Sequence, residues 1–165
     1  MSDVIRIGNC SGFYGDRLDA AREMVEGGPI DVLTGDYLAE LTMSILYNQQ
    51  QTRGEDTGYV GTFLKQVRDV AALCNEKNIK IVSNAGGLNP RSMALEVEKI
   101  LEALGLELKV AYIDGDNLLP DLHQLQSDGE SFTNLDTQQH LKDFDQKALT
   151  ANAYLGGWGI KEALD

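Results

Sequence analysis

Basic side chains are scarce in this chain. Lys and Arg number 14 against 26 Asp and Glu, a formal net charge of −12. Phosphate backbones and anionic lipid surfaces are bound by clustered Lys and Arg, so this balance argues against nucleic acid and membrane as partners. Cysteine is scarcer still: Cys10 and Cys74 are the only two, and they lie far apart with no metal-ligand spacing. They make neither a disulfide framework nor a zinc module, and reduced thiols in a reducing compartment are expected. Histidine is limited to His123 and His140, which read as surface residues because no partner sits at a useful spacing. No apolar run nears the roughly 20 residues that span a bilayer. Met1-Ser2-Asp3 leads straight into Val4-Ile5-Arg6-Ile7, with no basic segment ahead of an apolar core. No secretory leader is read, and a cytoplasmic setting is expected.

What is present is an ordinary globular composition, 42% hydrophobic over 165 residues. That suffices for one α/β domain over residues 1–165 without a metal or disulfide staple. The order of elements is strand, glycine-rich turn, helix, repeated. Val4 to Gly8 is a β-branched run closed by Asn9-Cys10-Ser11-Gly12-Phe13-Tyr14-Gly15, after which Asp16 is placed to cap a helix running to about Glu26. Gly27-Gly28-Pro29 stops that helix, and Ile30 to Thr34 gives a second strand ending at Gly35-Asp36-Tyr37. A helix through Leu38, Leu41, Thr42 and Ile45 precedes a polar loop, Gln49 to Gly58. Val60, Phe63, Leu64, Val67, Val70, Ala71 and Cys74 then fall at helical spacing. Ile79 to Ser83 is the third strand, followed by Asn84-Ala85-Gly86-Gly87-Leu88-Asn89-Pro90, in which Asn89 and Pro90 form a cap and first-turn pair. Leu106 to Ile113 and Ala148 to Asn152 read as fourth and fifth strands, separated by a polar excursion from Leu118 to Lys147 with at most short helices.

Helical connections between short apolar strands force parallel pairing, because a parallel crossover takes about a dozen residues. A three-layer, mostly parallel sheet with Rossmann-like alternation is therefore expected, and part of a β/α barrel is the alternative. Parallel sheets bind at the carboxyl ends of their strands. Asn9, Ser11, Asp36, Asn84, Asn89, Asp114, Asp116, Asn152 and Tyr154 all lie in such turns and should converge on one rim.

Each motif has a chemical and a plainer reading. Gly8-x-x-x-Gly12-x-x-Gly15 departs from the dinucleotide fingerprint, although Asp36 stands where a ribose-binding acid would. Backbone amides at the Asp16 helix start suit an anion or a carbonyl; a tight turn alone would also use these glycines. Asp36, Glu40, Asp114 and Asp116 are carboxylates fit for acid/base work or Mg²⁺, against which stand capping for Asp36 and a simple turn for Asp114-Gly115-Asp116. Gly86 and Gly87 should leave bare amides for a carboxylate or phosphate. Asn152-Ala153-Tyr154-Leu155-Gly156-Gly157-Trp158 offers an amide, a phenol and close backbone approach, with core packing of Tyr154 and Trp158 as the competitor. Cys10 and Ser11 have neither an evident base nor a nucleophile-elbow context.

Several of these segments, taken together, resemble one family. Ile5-Arg6-Ile7-Gly8-Asn9-Cys10-Ser11-Gly12-Phe13-Tyr14-Gly15-Asp16, Asp36-Tyr37-Leu38-Ala39-Glu40-Leu41-Thr42-Met43, Asn84 to Pro90, Gly115-Asp116-Asn117-Leu118 and Thr150-Ala151-Asn152-Ala153-Tyr154-Leu155-Gly156 are similar, in order, to the N-terminal part of acyclic terpene utilisation proteins. The stretches Gln49 to Thr57 and Ser127 to Gln146 match weakly. The resemblance implies that the chain is the N-terminal portion of a longer architecture. It implies a role in degrading branched acyclic terpenoids of the citronellol and geraniol type, whose intermediates are coenzyme A thioesters. Hydration, lyase or acyl-transfer chemistry on an acyl-CoA is then expected, with Asp36, Glu40 and Asp114 as acid/base residues. Asn9, Ser11, Gly12, Asn84, Gly86, Gly87, Asn89, Asp116, Asn152, Tyr154 and Gly156 would bind substrate. No obligatory cofactor is evident and the metal requirement is open, as is the choice between a homo-oligomer and a missing C-terminal domain or subunit. A nucleotide-binding oxidoreductase domain and a non-enzymatic subunit of a pathway complex are the rival readings.

Overall fold

The computed structural model describes residues 4–145 and 147–165; the reading of Met1-Ser2-Asp3 and the end of the Ser127 to Gln146 stretch lie outside the described residues. The chain forms two compact units, Met1–Ile113 with Gly157–Asp165, and Asp114–Gly156.

The first unit is an α/β fold on a parallel sheet. Strands β1 (Ile7–Asn9), β2 (Val32–Gly35) and β3 (Lys80–Ser83) lie in the order β1-β2-β3. Registers pair Gly8 with Leu33 and Leu33 with Ile81, so these residues share a face, as period-2 alternation requires. Helices α1 (Ala20–Gly27) and α3 (Gly61–Lys77) cover that face. Ala21 and Val25 of α1 meet Leu33, and Val70 and Cys74 of α3, in one buried cluster. Gly8 permits the close approach, since a Cβ there would stand 2.6 Å from Met24 Cγ. On the opposite face Ile7 is 65% exposed, and neither Val32 nor Val82 joins an apolar cluster.

The stripe expected in α3 is present: Phe63, Val67, Val70, Ala71 and Cys74 are buried at i, i+4, i+7, i+8 and i+11. Between β2 and α3 lies α2 (Glu40–Arg53), whose Leu46 is fully buried against the second apolar cluster. Helix α4 (Pro90–Ala103) opens as its sequence dictates, with Pro90 in the first turn and Asn89 Oδ1 accepting from Ser92 N at 3.0 Å. Its Ile100 and Leu101 join the same cluster. Arg22 of α1 donates from Nε to Asp69 Oδ2 on α3 at 2.9 Å and from Nη2 to the Asp69 carbonyl at 2.7 Å.

Four expectations are corrected. Helix α1 begins at Ala20, with Asp19 rather than Asp16 at the cap position. Helix α2 runs through Gln49–Arg53, part of the expected loop, because Gln and Arg are good helix formers even without an apolar stripe. Leu106 to Ile113 is not a strand. Its alternation is strand-like, but among the described residues it finds no hydrogen-bonding edge, and only Leu106 and Val110 touch the core. Ala148 to Asn152 likewise forms no ladder, and Asn152 makes a single antiparallel bridge to Asn117.

The second unit is the polar excursion with its flanks. It holds a 3₁₀ turn at Leu119–Asp121, the short helix α5 (Leu122–Ser127) and a further 3₁₀ turn at Leu141–Asp143. None of its described residues is fully buried. The last helix, α6 (Trp158–Leu164), belongs to the first unit. Among the described residues no helix is long and apolar enough to cross a membrane.

Candidate functional site

The three parallel strands end side by side, and their last residues are stitched together. Cys10 N donates to Thr34 O at 2.8 Å and Asp36 N to Ser11 O at 2.9 Å, which extends the β1–β2 contact beyond the strands. Asn9 Nδ2 donates to the same Ser11 carbonyl at 3.0 Å, and Asn9 Oδ1 accepts from Thr34 Oγ1 at 3.2 Å. Across β2 and β3, Asn84 Nδ2 donates to Asp36 Oδ1 at 2.6 Å while Asn84 Oδ1 accepts from Tyr37 N at 2.9 Å. The Tyr37 amide has only a proton to offer, so it fixes which end of the Asn84 amide faces Asp36. Asp36 is exposed, and its Oδ2 makes no hydrogen bond among the described residues. Asn9, Ser11, Asp36 and Asn84 thus lie on one continuous mouth, and Asp36 is an oriented carboxylate rather than a helix cap. Glu40 is exposed in the first turn of α2, where the helix dipole favours a negative charge.

Beneath this mouth is a buried polar contact. The Tyr37 hydroxyl donates to Gln66 Oε1 of α3, Gln66 Nε2 donates to Arg17 O at 3.3 Å, and Cys10 Sγ lies 4.0 Å from the phenol oxygen. Burial pushes both the Cys10 thiol and the Tyr37 phenol up, so neither ionises readily. Burial therefore overrides the thiol activation that a nearby helix start could supply. Gln66 is the residue that sequence reasoning passed over. The signal was available: it is a polar residue among the apolar positions of α3, i+3 from Phe63.

The Asn84–Pro90 loop corrects half of an expectation: Gly86 N makes no hydrogen bond among the described residues, but the amide of Gly87 is taken. Gly87 N donates to Asn84 O at 3.2 Å, Asn89 N to Gly86 O at 2.9 Å and Leu88 N to Gly58 O at 2.9 Å. These amides are spent inside the fold, so Gly87 offers no bare N–H. The glycines serve packing. A Cβ at Gly86 would lie 2.7 Å from Pro90 Cβ, and one at Gly87, whose φ is +54°, would lie 2.3 Å from Leu46 Cδ1. Asn89 is also committed, its Nδ2 donating to Glu55 O at 2.8 Å.

At the first turn Gly12 N donates to Asp16 Oδ2 at 3.0 Å and Arg17 N to Asp16 Oδ1 at 2.8 Å. These two backbone bonds hold the Asp16 carboxyl below the usual range. An internal carboxylate therefore occupies the amide that was expected to meet an external anion. Beside this turn is an open groove of about 600 Å³, with Asn9, Ser11, Asp16, Arg17, Glu23 and Met24 among its lining residues.

In the second unit Asn152 Nδ2 donates to Asp116 Oδ2 at 2.9 Å and Ala153 N to Asp116 O at 2.8 Å. Asp114 is exposed and its carboxylate makes no hydrogen bond among the described residues. Tyr154 is fully exposed, and in the first unit Trp158 is 78% exposed, so neither packs into a core. Gly156 takes a left-handed φ of +74°. Asp116, Asn152 and the segment carrying Tyr154 and Gly156 are brought together within this unit. Among the described residues, no three of His, Cys, Asp and Glu are grouped to hold a metal ion.

Compared with known proteins, the chain matches the family model described as the acyclic terpene utilisation family protein AtuA over residues 5–165. The chain belongs to the acyclic terpene utilisation family. Neither a curated protein nor a solved structure matches it. Family membership supports a role in acyclic terpene utilisation. The family-like segments Ile5–Asp16, Asp36–Met43 and Asn84–Pro90 supply the mouth of the first unit. Gly115–Leu118 and Thr150–Gly156 supply the Asp116–Asn152 contact of the second.

Proposed function

We propose that this member of the acyclic terpene utilisation family acts, in the cytoplasm, on coenzyme A thioesters of branched acyclic terpenoids. The observation that carries the reading is the Tyr37–Asn84–Asp36 relay, which fixes a solvent-facing carboxylate at the carboxyl edge of a parallel sheet. A carboxylate held by one oxygen with the other open is suited to moving a proton at the carbon beside a thioester carbonyl. Asn9, Ser11 and Gly12 flank the mouth and are assigned to positioning the substrate, with Glu40 as a second acid/base group. Asn84 aims Asp36, and Gly86, Gly87 and Asn89 shape the loop that carries it. Asp114 is assigned to acid/base work, and Asp116, Asn152, Tyr154 and Gly156 to substrate contact, within their own unit. The step that fits is one built on proton transfer, as in hydration or lyase chemistry.

The test is calorimetric titration of the chain with citronelloyl-CoA. Asp36→Ala is expected to abolish turnover of the thioester in a hydration or elimination assay, and Asn84→Ala to lower it by about tenfold to a hundredfold, with melting temperatures within a few degrees of the parent. Undiminished turnover in Asp36→Ala removes Asp36 from the chemistry. Saturable binding of a nicotinamide cofactor, with none of the thioester, would replace the reading by the oxidoreductase one.

A further inference from the structure

Gln66 is 4% exposed and is the only polar residue among the buried positions of α3. Burying a carboxamide costs free energy unless both of its ends are bonded. Here both are, and to different loops. Gln66 Nε2 donates at 3.3 Å to the carbonyl of Arg17, in the loop that follows β1. Gln66 Oε1 accepts from the hydroxyl of Tyr37, in the loop that follows β2. A carbonyl can only accept, so Nε2 faces Arg17 and the phenol must donate to Oε1. Apolar side chains of matching shape in place of such a pair can be neutral or even stabilising, so stability does not account for it. Apolar contacts tolerate sliding and rotation, whereas two directed bonds select one placement of the loops they join.

Tyr37 carries that placement to the mouth. Its side chain is buried, its ring meets Phe63 edge-on with centroids 5.9 Å apart at 71°, and it lies over Gly35, where a Cβ would stand 2.6 Å from Tyr37 Cε2. Its carbonyl accepts from Thr42 Oγ1 at 3.0 Å, and its amide donates to Asn84 Oδ1 at 2.9 Å. Every polar atom of Tyr37 is therefore bonded. The residue before it is Asp36, whose carboxylate is held by the same Asn84. Arg17 belongs to the other loop, the one that carries Ser11 and Gly12.

We propose that Gln66 is a positioning residue, which from beneath the mouth ties the loop of Ser11 to the loop of Asp36 and so fixes where the Asp36 carboxylate stands. The kinetic consequence rests on the thioester reading, but the placement is tested without substrate. The side-chain amide resonances of Asn84, which bonds both Tyr37 and Asp36, report it by NMR. Gln66→Met keeps the volume and removes both bonds. It is expected to move the Asn84 amide protons upfield as their bond to Asp36 loosens. Tyr37→Phe lacks only the hydroxyl and should give the same shift; it serves where Gln66→Met folds poorly. Val25→Ala removes fully buried apolar atoms from α1, which lowers stability without touching either bond, and should leave the Asn84 resonances in place. In turnover of citronelloyl-CoA, Gln66→Met should lower kcat about tenfold while KM stays within about twofold. Asn84 resonances unmoved in both folded variants overturn the proposal, as does an equal shift in Val25→Ala, which would make Gln66 an ordinary core residue. Shifts confined to the Gln66 and Tyr37 variants, in a chain that neither binds nor turns over the thioester, keep the positioning role and remove the thioester reading. Full turnover in both variants with unmoved resonances keeps that reading and removes Gln66.

Discussion

The two units of this chain are built on different terms. In the first, Leu46, Val25, Val60 and Val70 are fully buried and three parallel strands share a covered face. In the second, no described residue is fully buried, and the fold is drawn by short-range polar bonds such as Asp128 N to Gln124 O at 2.9 Å and Gln138 N to Asn134 O at 2.9 Å. Apolar burial is the main favourable term in folding. A segment without it is set by hydrogen bonds that are each worth only about 1 kcal/mol net. The positions that define a mouth in the first unit are therefore held by a core, while those of the second are held mainly by one another. Rigid placement of a catalytic carboxylate needs the former.

The largest expected effect comes from truncating the core on which that contrast depends. Leu46 is fully buried and touches the loop of Gly87, so Leu46→Ala should cost about 3 kcal/mol in urea unfolding. The matching truncation in the second unit, Leu125→Ala, removes a half-buried side chain and should cost less than about 1 kcal/mol. Equal costs would mean that the two units do not differ as their burial indicates.

How much of this was readable in the residues follows the same divide between local and distant interactions. The turn after each strand was legible because the apolar runs are short and the helical connections force parallel pairing, which places Asn9, Ser11, Asp36 and Asn84 at one edge. The Asn89-Pro90 cap was legible because it is settled within four residues. Leu106 to Ile113 misled, since alternation describes a strand's faces but not whether a neighbour offers hydrogen bonds. Asp16 misled in a related way. Its carboxylate meets the Gly12 and Arg17 amides, and nothing in the spacing distinguished that from a helix cap. The Tyr37–Gln66 contact joins residues 29 apart in the chain, a pairing that no local pattern carries, although a lone glutamine in an apolar stripe marked its position.

A second effect sharpens the contrast through pH. Cys74 is buried in the first unit, and burial pushes its thiol from 9.0 up to about 11. A group whose folded value is raised gives stability that is fully present below its unfolded value and is lost as pH rises towards the folded one. The first unit should therefore lose about 2–3 kcal/mol between pH 9 and pH 11 from this thiol alone. Cys74→Ala should flatten that alkaline limb while lowering stability at neutral pH by about 1–2 kcal/mol for the lost packing. A limb of unchanged steepness in Cys74→Ala would show that Cys74 titrates in the folded chain as it does in the unfolded one.

The smallest effect compares polar contacts across the divide. Arg22 and Asp69 join α1 to α3 with side chains 43% and 42% exposed, so solvent screens the pair and a double-mutant cycle should give the weaker coupling of the two compared. Asp116 and Asn152 are both half-buried and bring together residues 36 apart in the chain. With no core beneath them, their cycle should give about 1 kcal/mol, and Asn152→Ala should speed amide exchange at Leu118 and Ala153, whose N–H groups bond Ala151 and Asp116. The order of the two cycles is the informative quantity. Coupling larger at Arg22–Asp69 than at Asp116–Asn152 would mean that the second unit is ordered by something other than its own polar bonds.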